Sequence, residues 1–258
     1  MRPTAQALAR TYSDRGYPDP WEKVLDYRRV QEYVAEHPNH GRTRVGKALD
    51  LPPGRVRGWI SDGMPDSVRG IQTAIDHGWL DPDPEGKTAA ALVDLLAHVL
   101  AGGSIKSRTY VPSVTVGRRL ETDEIREVFD RVGVKTVVRR ANEDGRATEV
   151  LPESDGSVLG RCLVTMGAPA GEKVDLDVFP SVAWDVPEST QASFARIYLD
   201  HRATELAGKR TMVIQEDRPS AYLKGLQEFL ADVTGGPVTV GDGQVTISAD
   251  AARKFCPA

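Results

Sequence analysis

Five basic residues crowd one short stretch of this chain: Arg42, Arg44, Lys47, Arg55 and Arg57, with Asp50 the only acid between residues 41 and 61. A guanidinium group matches a phosphate, or the outer edge of guanine, through paired hydrogen bonds, so this density of arginine is chemistry suited to nucleic acid. A second set is spaced for strands. Lys106 and Arg108 are two apart, Lys135 and Arg139 are four apart with Arg140 next, and no acid lies between Ile105 and Arg119. In a strand such spacings put both members on one face. A solvated helical edge and a solvated sheet face are the plainer readings of the same residues. The bias itself, 24 arginines to nine lysines, is also what a GC-rich genome produces.

Other reactive side chains carry less. His37 and His40 in "HPNH" have the look of a metal pair, but no second pair or cysteines accompany them, and a helix end accounts for them. The glycines of "TGGPVTVGDG" lack phosphate-loop spacing and fit a hairpin. Cys162 and Cys256 are too few for a disulfide framework or a metal cluster. His98 and His201 read as packing residues. The expectation is no metal and no cofactor.

Those residues need elements to hold them. The chain has 258 residues, 40% hydrophobic and 27% charged, which is ordinary for one large or two medium globular domains. Its net charge of −4 argues against a blanket nucleic-acid binder but leaves room for a local basic face. The opening "MRPTAQALARTYSDRG" has no apolar stretch of signal-peptide type, and no run reaches the ~20 apolar residues of a membrane helix. A cytoplasmic protein with no membrane partner is expected.

The first 80 residues read as helices. "WEKVLDYRRVQEYVAEHP" spaces Val24, Leu25, Tyr27, Val30 and Val34 helically until Pro38 stops it. "RTRVGKALD" is a short helix, "LPPG" a turn, "PGRVRGWISDG" a helix opening on proline, and "MPDSVRGIQTAIDHGWL" a fourth. "DPDPEGKT" at 81–88 has the composition of a linker, which makes 1–80 one domain and 89–258 another. Beyond it the pattern mixes. A helix at 89–101 precedes strand signals at 104–117 and the helix "ETDEIREVFDRVG". "VKTVVRRA" and "ATEVLPES" pair across "NEDG". A helix near 155–166, an irregular stretch and a helix at 189–207 follow, then "TMVIQE" as a strand, "SAYLKGLQEFLADVTGG" as a helix, and the hairpin "PVTVGDGQVTI". The order helix, strands, helix, hairpin, helix occurs twice, a weak internal repeat of pattern.

"TRVGKALDLPPGRVRGWI" has the organisation of a helix-turn-helix, with Ala48 as the small residue where the helices cross and Val56, Trp59 and Ile60 turned inward. Its ending resembles the "VRRWI" close of many bacterial and archaeal DNA-binding modules. In that arrangement Arg55 and Arg57 reach base edges from the second helix, while Arg42, Arg44 and Lys47 hold phosphates.

"LVDLLAHVLAGGSI" resembles the signature helix of the LAGLIDADG homing endonucleases. "SVLGRCLVTMGAPAGEKVDLDVFPSVAWDVPEST" is similar to that family's bridge between halves, and "FARIYLDHRAT" stands where its second signature helix would be. The match covers roughly residues 88 to 256. The resemblance implies an α+β fold: an N-terminal all-α helix-turn-helix domain followed by a pseudo-twofold αββαββα domain. In that family each signature helix ends in an acid, and the two carboxylates hold divalent metal over the DNA. Here the first such position is Gly102 and the second Arg202, so both acids are lost and no catalytic residue is assigned. The family's tight helix crossing uses small residues, supplied here by Ala97 and Ala101 but not by Ile197.

The resemblance therefore implies sequence-specific, non-cleaving binding of double-stranded DNA, as in a transcriptional regulator, with the basic residues already named as the contacts. WhiA-type regulators join the same two kinds of domain in the opposite order. A homodimer is compatible with this reading. Two alternatives stand beside it: a working metal-dependent endonuclease using displaced acids, Asp94 or Asp200, and a protein-interaction module whose basic face is incidental.

Overall fold

The computed structural model describes residues 2–117, 119–141, 143, 145–206 and 210–255, and divides the chain into two compact units, Thr4–Asp76 and Met1–Pro3 with His77–Ala258. Among the described residues it is a mixed α and β protein with eleven helices and two small antiparallel sheets. No helix among them is long and apolar enough to cross a membrane.

The first unit is all helical: α1 (Ala5–Arg10), α2 (Pro20–Glu36), α3 (Arg42–Leu49), α4 (Pro53–Trp59) and α5 (Asp66–Asp76). Its helix starts follow from local chemistry. The Thr4 side chain accepts from the Ala7 amide at 3.1 Å, and Asp19 accepts from Trp21 at 3.0 Å with Pro20 in the first turn of α2. Tyr17, Val30, Val45, Leu51, Val56 and Trp59 form its core. Trp59 meets the edge of Tyr27 at 5.8 Å and accepts at its carbonyl from Gln31 at 2.9 Å. The small residue at the α3–α4 junction is Gly46, not Ala48, which is exposed. A Cβ on Gly46 would lie 2.6 Å from the Leu51 carbonyl oxygen. That backbone approach is what the tight turn demands.

The second unit is built twice on one plan. The first half runs α6 (Lys87–Gly102), β1 (Gly103–Ile105), β2 (Pro112–Thr115), α7 (Thr122–Arg131), β3 (Thr136–Arg139), β4 (Glu149–Pro152) and α8 (Gly156–Thr165). The second runs α9 (Glu188–Arg202), β5 (Ala203–Glu205), β6 (Met212–Gln215), α10 (Ser220–Thr234), β7 (Val238–Gly241), β8 (Gln244–Ile247) and α11 (Ala249–Ala252). The two sheets have the same strand order, β1-β2-β4-β3 and β5-β6-β8-β7. Gly103 pairs with Val114 as Ala203 pairs with Ile214, so the duplication extends to register.

α6 is buried from Ala91 to Ala101 and packs along α9. An apolar helix with no polar face is a core element. Ala97 and Ala101 are fully buried, as the small-residue crossing requires, while Ile197 is half-buried on the wall of a groove with Leu120 and Val128. Trp79, fully buried, donates from its indole to the Val132 carbonyl at 2.8 Å and ties the start of this unit to α7. Cys162 is buried and unpaired, its thiol pushed up to about 12 by burial, and Cys256 lies outside the described residues.

Two expectations are corrected here. The helix expected over 189–207 ends at Arg202, where Ala203 turns to extended backbone and β5 begins. Lys106 and Arg108 are not on a strand: β1 stops at Ile105, and they sit in the turn closed by the Tyr110 amide on the Lys106 carbonyl at 2.7 Å.

Candidate nucleic-acid interface

In the first unit, Arg42, Arg44 and Lys47 are exposed on α3, and Arg57 is exposed on α4. Asp50, the one acid between residues 41 and 61, caps α3 in the left-handed region at φ 56. Arg55 differs. Its guanidinium lies over the Tyr17 ring at 4.3 Å and the residue is half-buried. Tyr17 donates to Asp26 at 2.9 Å, and burial followed by that hydrogen bond pushes its hydroxyl up to about 12. Arg55 is thus held by the core edge, whereas Arg57 is exposed and makes no ion pair or ring contact among the described residues.

On the first sheet, Lys135 precedes β3 and is followed by Val137 and Arg139 in strand alternation, so the two basic residues do share a face. Their neighbour across the ladder is acidic: Arg139 stands opposite Glu149, and Arg140, at φ 61, pairs with Glu149 at 3.0 Å. This face carries both signs. The matching face of the second sheet bears Thr204, Val213, Gln215, Thr239, Gln244 and Thr246, with Arg202 at its edge beside Thr204.

The densest chemistry lies where α6 and α9 end together. Gly102 has no side chain because none fits: a Cβ there would lie 2.0 Å from His201 Nδ1. The His201 ring takes that space and meets His98, Nε2 to Nδ1, at 3.0 Å. Burial holds His98 down at about 3 and His201 at about 4, so both rings are neutral at ordinary pH.

Arg202 occupies the second position. Its Nε donates to the Ala101 carbonyl oxygen at 2.6 Å and lies 3.0 Å from Glu216 Oε1. Lys173 donates to the Leu100 carbonyl at 2.8 Å, and Arg218 reaches the same oxygen at 2.9 Å and the Lys173 carbonyl at 2.9 Å. Glu216, Tyr198 and Tyr222 complete the cluster, with Tyr198 donating to Glu216 at 2.8 Å and meeting Tyr222 at 3.1 Å. Arg218 also lies over the Tyr222 ring at 4.4 Å. Three cations therefore gather on the carbonyl end of α6, where a helix presents negative charge. Burial first, and the nearby Arg218 and Arg202 next, push Lys173 down to about 7.

Sequence reasoning missed Lys173, Glu216 and Arg218. Lys173 falls in the "GAPAGEK" pattern of the bridge, which was the one usable signal. Nothing local ties Glu216 and Arg218 to the helix ends, since Leu100, which Arg218 reaches, is 118 residues away and Tyr198, which donates to Glu216, is 18 away.

The displaced acids lie elsewhere. Asp94 is buried and takes a hydrogen bond from Arg131 at 2.8 Å, and Asp200 stands 3.7 Å from Arg196. Among the described residues no three His, Cys, Asp or Glu side chains group in a way that could hold a metal ion. The paired carboxylates that the LAGLIDADG resemblance would need at the helix ends are replaced by a glycine and a guanidinium, so this donor set does not fit a hard divalent cation.

No family model matches the chain, and no curated protein matches it. Among solved structures it is similar to the crystal structure of full-length DUF199/WhiA from Thermatoga maritima, with 10% identity and a TM-score of 0.42. That match covers 67% of this chain and 57% of the other, so the chain spans little more than half of that protein's length.

Proposed function

We propose that this chain is a non-cleaving, sequence-specific DNA-binding protein of the transcriptional-regulator kind, made of a helix-turn-helix unit at residues 1–80 and a degenerate LAGLIDADG-like unit at 89–258. The observation that carries the reading is the α3–α4 pair. Two short helices meet at Gly46, with Arg42, Arg44 and Lys47 exposed along α3 and Arg57 exposed in the last turn of α4. A helix pair of this kind sets its second helix in the major groove, where Arg57 meets base edges and the α3 residues meet phosphates. Arg55 supports that helix from behind.

Lys106, Arg108, Lys135 and Arg139 are the further DNA contacts in this reading, the first two from a turn at one end of the sheet, Lys135 from just before β3 and Arg139 from its end. The helix ends account for the absence of cleavage in this reading. Arg202 places a fixed positive charge on the Ala101 carbonyl, where a metal-dependent nuclease of this design needs a cation bound between acids. Asp94 is engaged by Arg131 and does not serve that position.

The test is selection of duplexes from a random pool by the full chain, followed by incubation of the retained duplex with Mg²⁺ or Mn²⁺. A defined motif is expected to emerge, to bind with steep salt dependence and to remain uncut. Failure to retain any duplex at low salt, or metal-dependent strand breaks, would overturn the reading.

A further inference from the structure

The cations at the end of α6 are more numerous than their counter-charges. Lys173, Arg202 and Arg218 face one carboxylate, Glu216, and the backbone carbonyls of Leu100 and Ala101. The carbonyl end of a helix offsets only about half an elementary charge. With Lys173 protonated the cluster keeps an excess positive charge. Arg218 is buried, its side chain 3% exposed, whereas that of Arg202 is 39% exposed. The excess therefore reaches solvent through Arg202.

The place it reaches is shaped. A cavity of about 310 Å³ opens on the second sheet, lined by Arg202, Thr204, Leu206, Val213 and Gln215. Arg202, Thr204 and Leu206 alternate along β5 and its ends, and Val213 and Gln215 alternate on β6 beside it, with Thr204 opposite Val213. Nε makes both of the recorded contacts of Arg202, which leaves its two terminal nitrogens without a hydrogen bond among the described residues. A guanidinium edge, a hydroxyl and a side-chain amide thus stand around one cavity as donors. Among the described residues no carboxylate lines it.

We propose that this cavity is an oxyanion site, and that it holds a phosphodiester group of bound DNA on the terminal nitrogens of Arg202. This rests on the DNA-binding reading above and deepens it by assigning a contact to the centre of the second unit. A planar guanidinium grips two phosphate oxygens in parallel, and anchoring Nε on Ala101 fixes the fork in advance. Thr204 and Gln215 supply the flanking donors. The first half has no counterpart, because Gly102 and Ser104 occupy the positions equivalent to Arg202 and Thr204.

The experiment compares the full chain with Arg202→Gln, Arg202→Lys and the double variant Thr204→Val with Gln215→Leu. It uses fluorescence anisotropy on a selected duplex across a salt series, and thermal unfolding with inorganic phosphate against chloride at matched ionic strength. Arg202→Gln is expected to weaken duplex binding about tenfold and to flatten the salt slope by about 0.9, one phosphate contact. Arg202→Lys should recover part of the loss, since it keeps the charge without the fork. Phosphate should raise the unfolding temperature of the parent chain more than chloride does, and less so for Arg202→Gln.

An unchanged salt slope together with an identical phosphate effect would overturn the site while leaving DNA binding intact. If Arg202→Gln fails to fold, the double variant decides: weaker binding supports the site and unchanged binding removes it. A parent chain that binds no duplex but still answers to phosphate through Arg202 would sink the DNA-binding reading and keep an oxyanion site for a free phosphate.

Discussion

Arg202 donates through Nε to the carbonyl oxygen of Ala101 across the helix pair, at 2.6 Å. One residue earlier, His201 fills the space that Gly102 leaves and meets His98 at 3.0 Å. Consecutive residues of α9 thus occupy both central positions of the second unit, and α6 supplies backbone, a glycine and the His98 ring.

Gly102→Ala is expected to destabilise the second unit by about 1–3 kcal/mol, the range for forcing extra volume into a packed site. The new Cβ would lie 2.0 Å from the His201 ring, which is itself held by His98. Urea unfolding of the variant against the parent chain measures it, and an unchanged midpoint would contradict the close approach.

The histidine pair makes stability depend on pH. Both rings are held well below the ordinary value of 6.5, at about 3 and about 4. Below pH 6.5 the unfolded chain therefore takes up protons that the folded chain refuses, and stability falls as the pH drops toward 4. Above 6.5 the contribution is complete. His201→Gln should flatten the decline between pH 6.5 and 4 in chemical unfolding, whereas carboxylate titration alone would leave the slope as it was.

Lys173 gives the alkaline counterpart. Its ammonium is pushed down from 10.5 to about 7, so between those values the unfolded chain binds the extra proton and stability climbs with pH. Lys173→Met should remove that climb. Unfolding series at pH 7, 8 and 9 would show two parallel curves if the prediction is wrong.

Arg55 and Arg57 should separate by assay. Arg57→Ala is expected to lower duplex affinity by about 1–3 kcal/mol when it removes a base contact, with the fold unharmed. Arg55→Ala removes the stack on Tyr17 at 4.3 Å and should lower the stability of the first unit by about 0.5–1 kcal/mol. Equal effects of both on binding, with no change in stability, would place Arg55 at the interface after all.

Tyr198→Phe leaves the buried Glu216 without its phenolic donor, a bond of 2.8 Å. A loss of about 1–3 kcal/mol is expected, because the buried carboxylate gives up a hydrogen bond that water does not replace, although Arg202 at 3.0 Å and Arg218 at 3.4 Å still face it. Thermal unfolding reads it directly.

Much of the helical framework was legible because periodicity, proline and glycine are local signals. α2, α3 and α4 stand close to where the apolar spacing placed them, and the β3–β4 and β7–β8 pairings follow their turns. The failures have physical reasons. Gly46 and Ala48 are both small, and only the backbone path of the turn decides which one is crossed. β1 and β5 are three residues each, too short to show alternation beside a long helix. Lys106 and Arg108 satisfy strand spacing, but the chain reverses directly after Ile105. At the helix ends Gly102 and Arg202 could be singled out from sequence, while the Lys173–Glu216–Arg218 cluster could not. Its bonds to Leu100 span 73 and 118 residues, and such contacts leave no mark on nearby sequence.

The repeated plan of the second unit ends in unlike surfaces. One sheet offers Lys135, Arg139 and Glu149, and the other offers threonines, glutamines and a valine beside Arg202. A polymer lying across both would meet two different readers in a set order. Its recognised stretch would have a left and a right, and reversing it would be as damaging as mutating it.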